Sequence, residues 1–196
     1  MPFSAVLDAC VLYPNTLRDT LLRIAEQGTY QPLWSEKILN EVRGALVRNG
    51  RSEEKADYAL GCMKAAFPEA MVNGWESLES AMSNHPKDRH VLATAVRAHA
   101  DVVVTANMRD FPASACEPFE ISVQHPDTFL CYELEQAPYA IVQVLREQAN
   151  ATGRRTHRPM SIEDLLTSLA NCGAPVFVSA VENWLPTQPN ETRATG

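Results

Sequence analysis

Four carboxylates lie beside stretches of sequence that are otherwise apolar. Asp8 interrupts the aliphatic run of residues 5–12. Glu41, Asp88 and Asp110 each adjoin a segment with the character of a buried core. A buried carboxylate must be compensated by a cation, by a proton or by several hydrogen-bond donors. If the fold brings these four acids into one pocket, they require a counter-ion, and their hard oxygen atoms favour Mg²⁺ or Mn²⁺ over zinc.

Each of the four acids also has a purely structural interpretation. Asp8 could be satisfied by the N-terminus of a helix or by hydroxyl groups, and Glu41 could pair with Arg18, Arg43 or another base at the rim of the core. Asp88 follows a proline and precedes a helical pattern, which is typical of an N-cap. Asp110 lies in a predicted loop, where aspartate is common because it accepts turn geometry. No single acid therefore decides between a structural role and a metal site.

Strands and helices alternate over the first two-thirds of the chain. Short apolar or β-branched runs predict strands, and apolar residues at helical spacing predict helices. Strands are predicted over residues 4–8, 70–75, 101–105 and 119–123, and helices over 17–26, 35–47 with Ser35 as N-cap, 53–67, 76–83 and onward from Pro86. This alternation favours a three-layer α/β/α fold with a central, mostly parallel sheet.

The predicted sheet gives the four acids a common position. Asp8 and Asp110 follow strands at their carboxyl ends, which is the edge where open parallel sheets hold ligands. Glu41 and Asp88 lie on helices that would flank those strands. Their joint placement favours one shared site over four unrelated structural roles.

The character of the sequence changes at about Pro126, after which the pattern is helical throughout. Helical periodicity covers residues 126–136, 138–149 and 161–171, and less regularly 174–185. The last residues are polar and poor in aliphatic side chains. We expect a catalytic domain over residues 1–130, a helical C-terminal appendage over 131–187 and a flexible tail over 188–196.

The composition limits the classes of function. The net charge of −7 argues mildly against binding nucleic acid through a broad basic face, although it does not exclude an enzyme that cuts it. Two clusters of basic residues are either solvated faces or phosphate contacts. They are Lys37, Arg43, Arg48, Arg51 and Lys55, and the loop with Arg154, Arg155, His157 and Arg158. Five scattered cysteines without a C-x-x-C pair, and the lack of a signal or membrane-spanning segment, favour a cytoplasmic protein.

Four segments together resemble a known family. VLDACVLYPNTLRDTLLRIA, WSEKILNEV, KDRHVLATAV and VVVTANMRDFP are similar, in order and spacing, to the PIN-domain ribonucleases, specifically the toxins of bacterial VapC-type toxin–antitoxin pairs. The resemblance implies that the four acids are the catalytic, metal-binding quartet, with Asn107 and Thr105 as secondary residues. It also implies endonucleolytic cleavage of RNA, possibly tRNA or rRNA, with Mg²⁺ or Mn²⁺ to give a 5′-phosphate and a 3′-hydroxyl. The expected partners are a cognate antitoxin protein and a second copy in a homodimer.

Two departures from the family pattern leave alternatives open. The segment before Asp88 is His85-Pro86-Lys87, where relatives often carry further acids, and Asn107 stands where Asp is frequent. A PIN-like binding protein with weak or no activity is therefore the alternative function. A haloacid-dehalogenase-like phosphatase also begins with a strand ending in Asp, but it requires a second Asp at the position of Cys10.

Overall fold

The structure is a computed structural model that describes residues 3–152 and 160–185. The chain divides into two compact units, Met1–Pro126 and Asp127–Gly196. The predicted tail over 188–196 and the basic loop with Arg154, Arg155, His157 and Arg158 lie outside the described residues.

A four-stranded parallel sheet forms the centre of the first unit. Its strands lie in the order β2-β1-β3-β4, and every neighbouring pair is parallel. The two central strands are fully buried because they consist of small and aliphatic residues with helices on the sheet's flanks. The strands are β1 (Ser4–Leu7), β2 (Gln31–Leu33), β3 (Val102–Val104) and β4 (Ser122–Gln124). The predicted fold class is confirmed.

Seven helices accompany the sheet within the described part of the first unit. The predicted cap of α3 is present, since the Ser35 hydroxyl accepts a hydrogen bond from the backbone N–H of Ile38. The apolar stripe of α3 is buried at Ile38, Leu39, Val42 and Leu46. The helices are α1 (Ala9–Leu12), α2 (Asn15–Glu26), α3 (Glu36–Arg48), α4 (Glu53–Ala66), α5 (Glu76–Glu79), α6 (Arg89–Ala98) and α7 (Ala113–Cys116).

The prediction for residues 70–83 was wrong in part. The expected strand over 70–75 is a 3₁₀ turn, Pro68–Ala70, followed by a single parallel bridge between Trp34 and Met71. The helix expected over 76–83 ends at Glu79. A glycine with positive φ, Gly74, turns the chain between the two, so no strand continues there.

The second unit is helical, as the periodicity predicted. It contains α8 (Pro126–Gln136), α9 (Pro138–Ala151), α10 (Ile162–Asn171) and α11 (Pro175–Trp184). The carboxylate of Asp127 accepts hydrogen bonds from the backbone N–H groups of Val176 at 3.1 Å and Phe177 at 2.7 Å, so α8 caps the first turn of α11. Among the described residues, no helix has the length and apolar character that crossing a membrane requires.

Candidate metal centre

The carboxyl ends of β1 and β3 lie side by side at one edge of the sheet. Leu7 is in register with Val104, and the backbone N–H of Asp8 donates to the carbonyl of Val104 at 3.1 Å. The next residue after β3 is Thr105, which is fully buried. The sheet register therefore places Asp8 and Thr105 together, although 97 positions separate them in the sequence.

Asp8 is buried and is held by three hydrogen-bond donors. Its carboxylate accepts from the Thr105 hydroxyl at 2.7 Å, the Ala9 backbone N–H at 2.6 Å and the Cys10 thiol at 3.2 Å. The structural interpretation of Asp8, in which a helix N-terminus and a hydroxyl compensate its charge, therefore describes real contacts. These contacts do not exclude a ligand, because an ionised carboxylate has about four acceptor sites and three donors leave one of them open. They also fix the orientation of the carboxylate.

Cys10 helps to hold Asp8 by donating a hydrogen bond to its carboxylate. Burial raises the pKa of the Cys10 thiol to about 12, and the charge of Asp8 acts in the same direction. The thiol therefore stays protonated at neutral pH and acts as a donor, not as a nucleophile or an acid–base group. This is consistent with the argument against a phosphatase that needs an acid at this position.

Thr105 and Asn107 have supporting contacts that differ in kind. The Thr105 hydroxyl donates to Asp8 and accepts from the backbone N–H of Asn107 at 3.0 Å. The side chain of Asn107 is exposed. Thr105 thus orients Asp8 with its side chain, whereas Asn107 contacts Thr105 through its backbone N–H.

Asp88 is the acid with the least compensated environment. It is only 7% exposed, and its Oδ2 has no hydrogen-bond partner among the described residues. It occupies the N-cap position of α6, as the local pattern predicted, but its side chain makes no capping hydrogen bond. Burial raises the pKa of Asp88 to about 6, with further contributions from the charges of Asp8 and Asp110 and from contact with the Asp110 carboxyl.

A histidine completes a close group with two of the predicted acids. His85, Asp88 and Asp110 each offer a ligand atom, and these three atoms lie within 4.8 Å of one another. Asp8 acts on this group through its charge, which contributes to the raised pKa of Asp88. In the sequence, His85 stood out only as a departure from the family pattern, and no role in the site was predicted for it.

Glu41 contacts a histidine and not an arginine. Its Oε1 lies 3.2 Å from Nε2 of His90, which is fully buried, although the two groups lack the alignment of a hydrogen bond. The arginines have other partners: Arg18 donates to carbonyl oxygens and to Asn15, and Arg43 pairs with Glu53 and Asp57. Glu41 therefore lies outside the close group of His85, Asp88 and Asp110. It contacts His90, which neighbours that group.

Unpartnered buried polar atoms are concentrated next to this site. Within the described residues, Asn84, Asp88 and His90 all have buried side-chain nitrogen or oxygen atoms without a hydrogen-bond partner. Such atoms are costly in a folded protein and call for an ion, a water or a functional explanation. Carboxylate oxygens together with an imidazole nitrogen fit a divalent cation.

Comparisons with known proteins agree with this architecture. Residues 4–109, just over half of the chain, match the PIN domain family, and the chain belongs to that family. Residues 126–183 match the VapC50 C-terminal domain. The resemblance that the four sequence segments predicted is confirmed.

A particular relative supports the VapC type. The chain is 41% identical over 97 residues to the protein named "Putative ribonuclease VapC50" from Mycobacterium tuberculosis (strain ATCC 25618 / H37Rv). The alignment covers 50% of this chain and 57% of that protein, so the match spans little more than half the length of the relative. No solved structure matches the chain significantly.

Proposed function

We propose that this protein is a divalent-metal-dependent endoribonuclease that hydrolyses RNA phosphodiester bonds. The observation that carries the proposal is the environment of Asp88, a buried carboxyl with an unpartnered oxygen beside two further acids. Negative groups that repel one another in the free protein are those that a divalent cation neutralises on binding. Membership of the PIN-domain family and the similarity to a protein named as a ribonuclease support RNA as the substrate.

The proposed roles of the acids follow from their contacts. Asp88 and Asp110 hold the cation directly, and Asp8 faces the same group with its carboxylate oriented by Thr105. Glu41 and Asn107 complete the surroundings at greater distance, directly or through water. When bound, a Mg²⁺ or Mn²⁺ ion supplies positive charge that polarises the scissile phosphate and lowers the pKa of a water molecule.

The bond changes of the proposed reaction balance without a further reactant. The oxygen of a water molecule forms a bond to phosphorus, and the bond from phosphorus to the 3′-oxygen of the preceding nucleotide breaks. A proton from the water passes to that oxygen. The products are a 5′-phosphate and a 3′-hydroxyl, as the family resemblance implied.

The biological setting is part of the proposal. We infer a toxin of a type II toxin–antitoxin system, with a cognate antitoxin protein as partner and a homodimer as the assembly, because the second unit matches a VapC50 C-terminal domain. The five cysteines, all within the described residues, form no disulfide, as is usual in a reducing compartment, which supports a location in the cytoplasm.

The decisive experiment is cleavage of mixed cellular RNA by protein freed of antitoxin. Cleavage is expected with Mg²⁺ or Mn²⁺, and its loss is expected after chelation with EDTA and in Asp88→Asn. The matched control is Asp57→Asn, which changes an exposed aspartate that pairs with Arg43 and should cleave normally. Failure of the wild-type protein to cleave while it still binds RNA would favour the alternative, a PIN-like binding protein.

A further inference from the structure

We propose that His85 is a direct ligand of the same divalent cation as Asp88 and Asp110, so that this centre has mixed nitrogen and oxygen donors. The consequence is a higher affinity for transition-metal ions such as Mn²⁺ and Co²⁺ relative to Mg²⁺. This inference rests on the proposed function for the existence of the cation, and it adds the ligand set and the metal preference.

The spacing of the three donors suits one ion. Their ligand atoms lie within 4.8 Å of one another. Around an octahedral ion with bonds of about 2.1 Å, neighbouring donors are about 3.0 Å apart and opposite donors about 4.2 Å apart. Small side-chain rotations therefore bring all three donors onto a common centre.

Backbone hydrogen bonds hold the three residues in this arrangement. The N–H of His85 donates to the carbonyl of Asp110 at 3.0 Å, and the N–H of Asp88 donates to the carbonyl of His85 at 2.9 Å. The 3₁₀ turn Pro86–Asp88 is thereby joined to the 3₁₀ turn Met108–Asp110. The donors are preorganised by the backbone, which reduces the entropy that binding would otherwise cost.

Asp88 supplies an independent indication of a ligand. Its side chain is more than nine-tenths buried, and Oδ2 accepts no hydrogen bond within the described structure. The neighbouring Asp110 carboxyl is itself an acceptor, so the two carboxyls can bond to each other only when one carries a proton. A cation bound between the two carboxylates removes their repulsion without a proton. The imidazole of His85 is close enough to bind the same cation.

The imidazole of His85 is free to turn toward the ion. Its side chain is exposed, and its Nδ1 accepts from the N–H of Lys87 at 3.4 Å, which is long for a hydrogen bond. Coordination would replace a weak contact at little cost. Because imidazole suits transition metals whereas Mg²⁺ prefers oxygen ligands and retained waters, His85 changes the metal preference of the site.

The test measures the metal and its ligands directly. Mn²⁺ is titrated into the full-length protein and followed by electron paramagnetic resonance, and pulsed measurements detect the coupling of the bound ion to imidazole nitrogen. His85→Asn and His85→Asp are compared with His99→Asn. His99 is an exposed histidine in the left-handed conformation after α6, which asparagine also adopts, so this control removes an imidazole without backbone strain.

The expected result is nitrogen coupling in the wild type and in His99→Asn but not in either His85 variant. Affinity for Mn²⁺ should fall about tenfold or more in His85→Asn, with a smaller change for Mg²⁺. His85→Asp should keep a ligand at this position and shift the preference toward Mg²⁺. Binding of Mn²⁺ without nitrogen coupling, together with metal-dependent RNA cleavage, would overturn the role of His85 alone; absence of both binding and cleavage would overturn the proposed function as well.

Discussion

Replacing Asp88 by asparagine should stabilise the metal-free protein. The pKa of Asp88 rises from 3.8 to about 6 on folding, mainly because the carboxyl is buried and then because Asp8 and Asp110 are nearby. The folded state therefore binds this proton more tightly than the unfolded state does. Stability is unaffected below about pH 4, falls as pH rises toward 6, and carries the full penalty above 6.

The size of the stabilisation follows from the difference between the pKa values of Asp88 in the unfolded and folded states. At about 1.4 kcal/mol for each pH unit, a rise from 3.8 to about 6 is equivalent to about 3 kcal/mol. Asparagine cannot ionise, so Asp88→Asn should recover most of this free energy at pH 7.5 and almost none at pH 4. For a chain of this length, about 3 kcal/mol corresponds to an increase in Tm of about 6 °C or more.

The assay is thermal unfolding of EDTA-treated protein at pH 4, 6 and 7.5. The control is Asp57→Asn: its Arg43 partner lowers the pKa of the Asp57 carboxyl, so this variant should gain nothing at pH 7.5. Mn²⁺ at 100 times its Kd should stabilise the wild type by about 2.7 kcal/mol and Asp88→Asn much less. If Asp88→Asn melted below the wild type in EDTA at pH 7.5, Asp88 would be a structural residue and the reasoning would be refuted.

Three further predictions concern the support of the site and the second unit. Thr105→Val removes the hydroxyl that donates to Asp8, and it should lower stability by about 1–3 kcal/mol and slow RNA cleavage. Tm measures the first effect and initial rates on one RNA measure the second. A variant that cleaves at the wild-type rate would show that the orientation of Asp8 does not matter for catalysis. Cys10 should resist alkylation at pH 7.5 because its thiol has a pKa of about 12, whereas the exposed Cys62 should react first, as peptide mass spectrometry would show. Asp127→Ala removes the acceptor for two N–H groups of α11 and should destabilise the second unit by about 1–2 kcal/mol. Hydrogen exchange in α11 should become faster. Unchanged exchange there would contradict the capping role of Asp127.

The sheet was predictable where its strands are continuously apolar. Residues 4–8 and 101–105 predicted β1 and β3 because a run of aliphatic side chains with no polar face must be buried on both sides. No strand was predicted at β2, which has three residues and contains Pro32. Proline lacks the N–H of a ladder bond and is tolerated here because β2 lies at an edge of the sheet.

The acids of the proposed site could be nominated from the sequence, but their roles could not be separated. Asp88 follows a proline and precedes a helix, and this local pattern is the same for an N-cap and for a ligand. Only the tertiary structure shows that its carboxyl forms no cap and faces Asp110 instead. For Glu41, the sequence allowed Arg18, Arg43 or another base as the partner, and the fold brings His90 from another helix to within 3.2 Å of its Oε1.

His85 was not predicted as a site residue because imidazole carries no local signature of its own. His90 is fully buried between Glu41 and the ring of Trp75, whose centroid is 6.1 Å from its own. Burying a titratable ring without a hydrogen-bond partner lowers stability, as does burying the unpartnered Oδ2 of Asp88. Both costs fall within the same few residues that lead into α6. A segment that weakens the fold at several adjacent positions is better explained by a ligand than by packing, and the proposed cation supplies such a ligand.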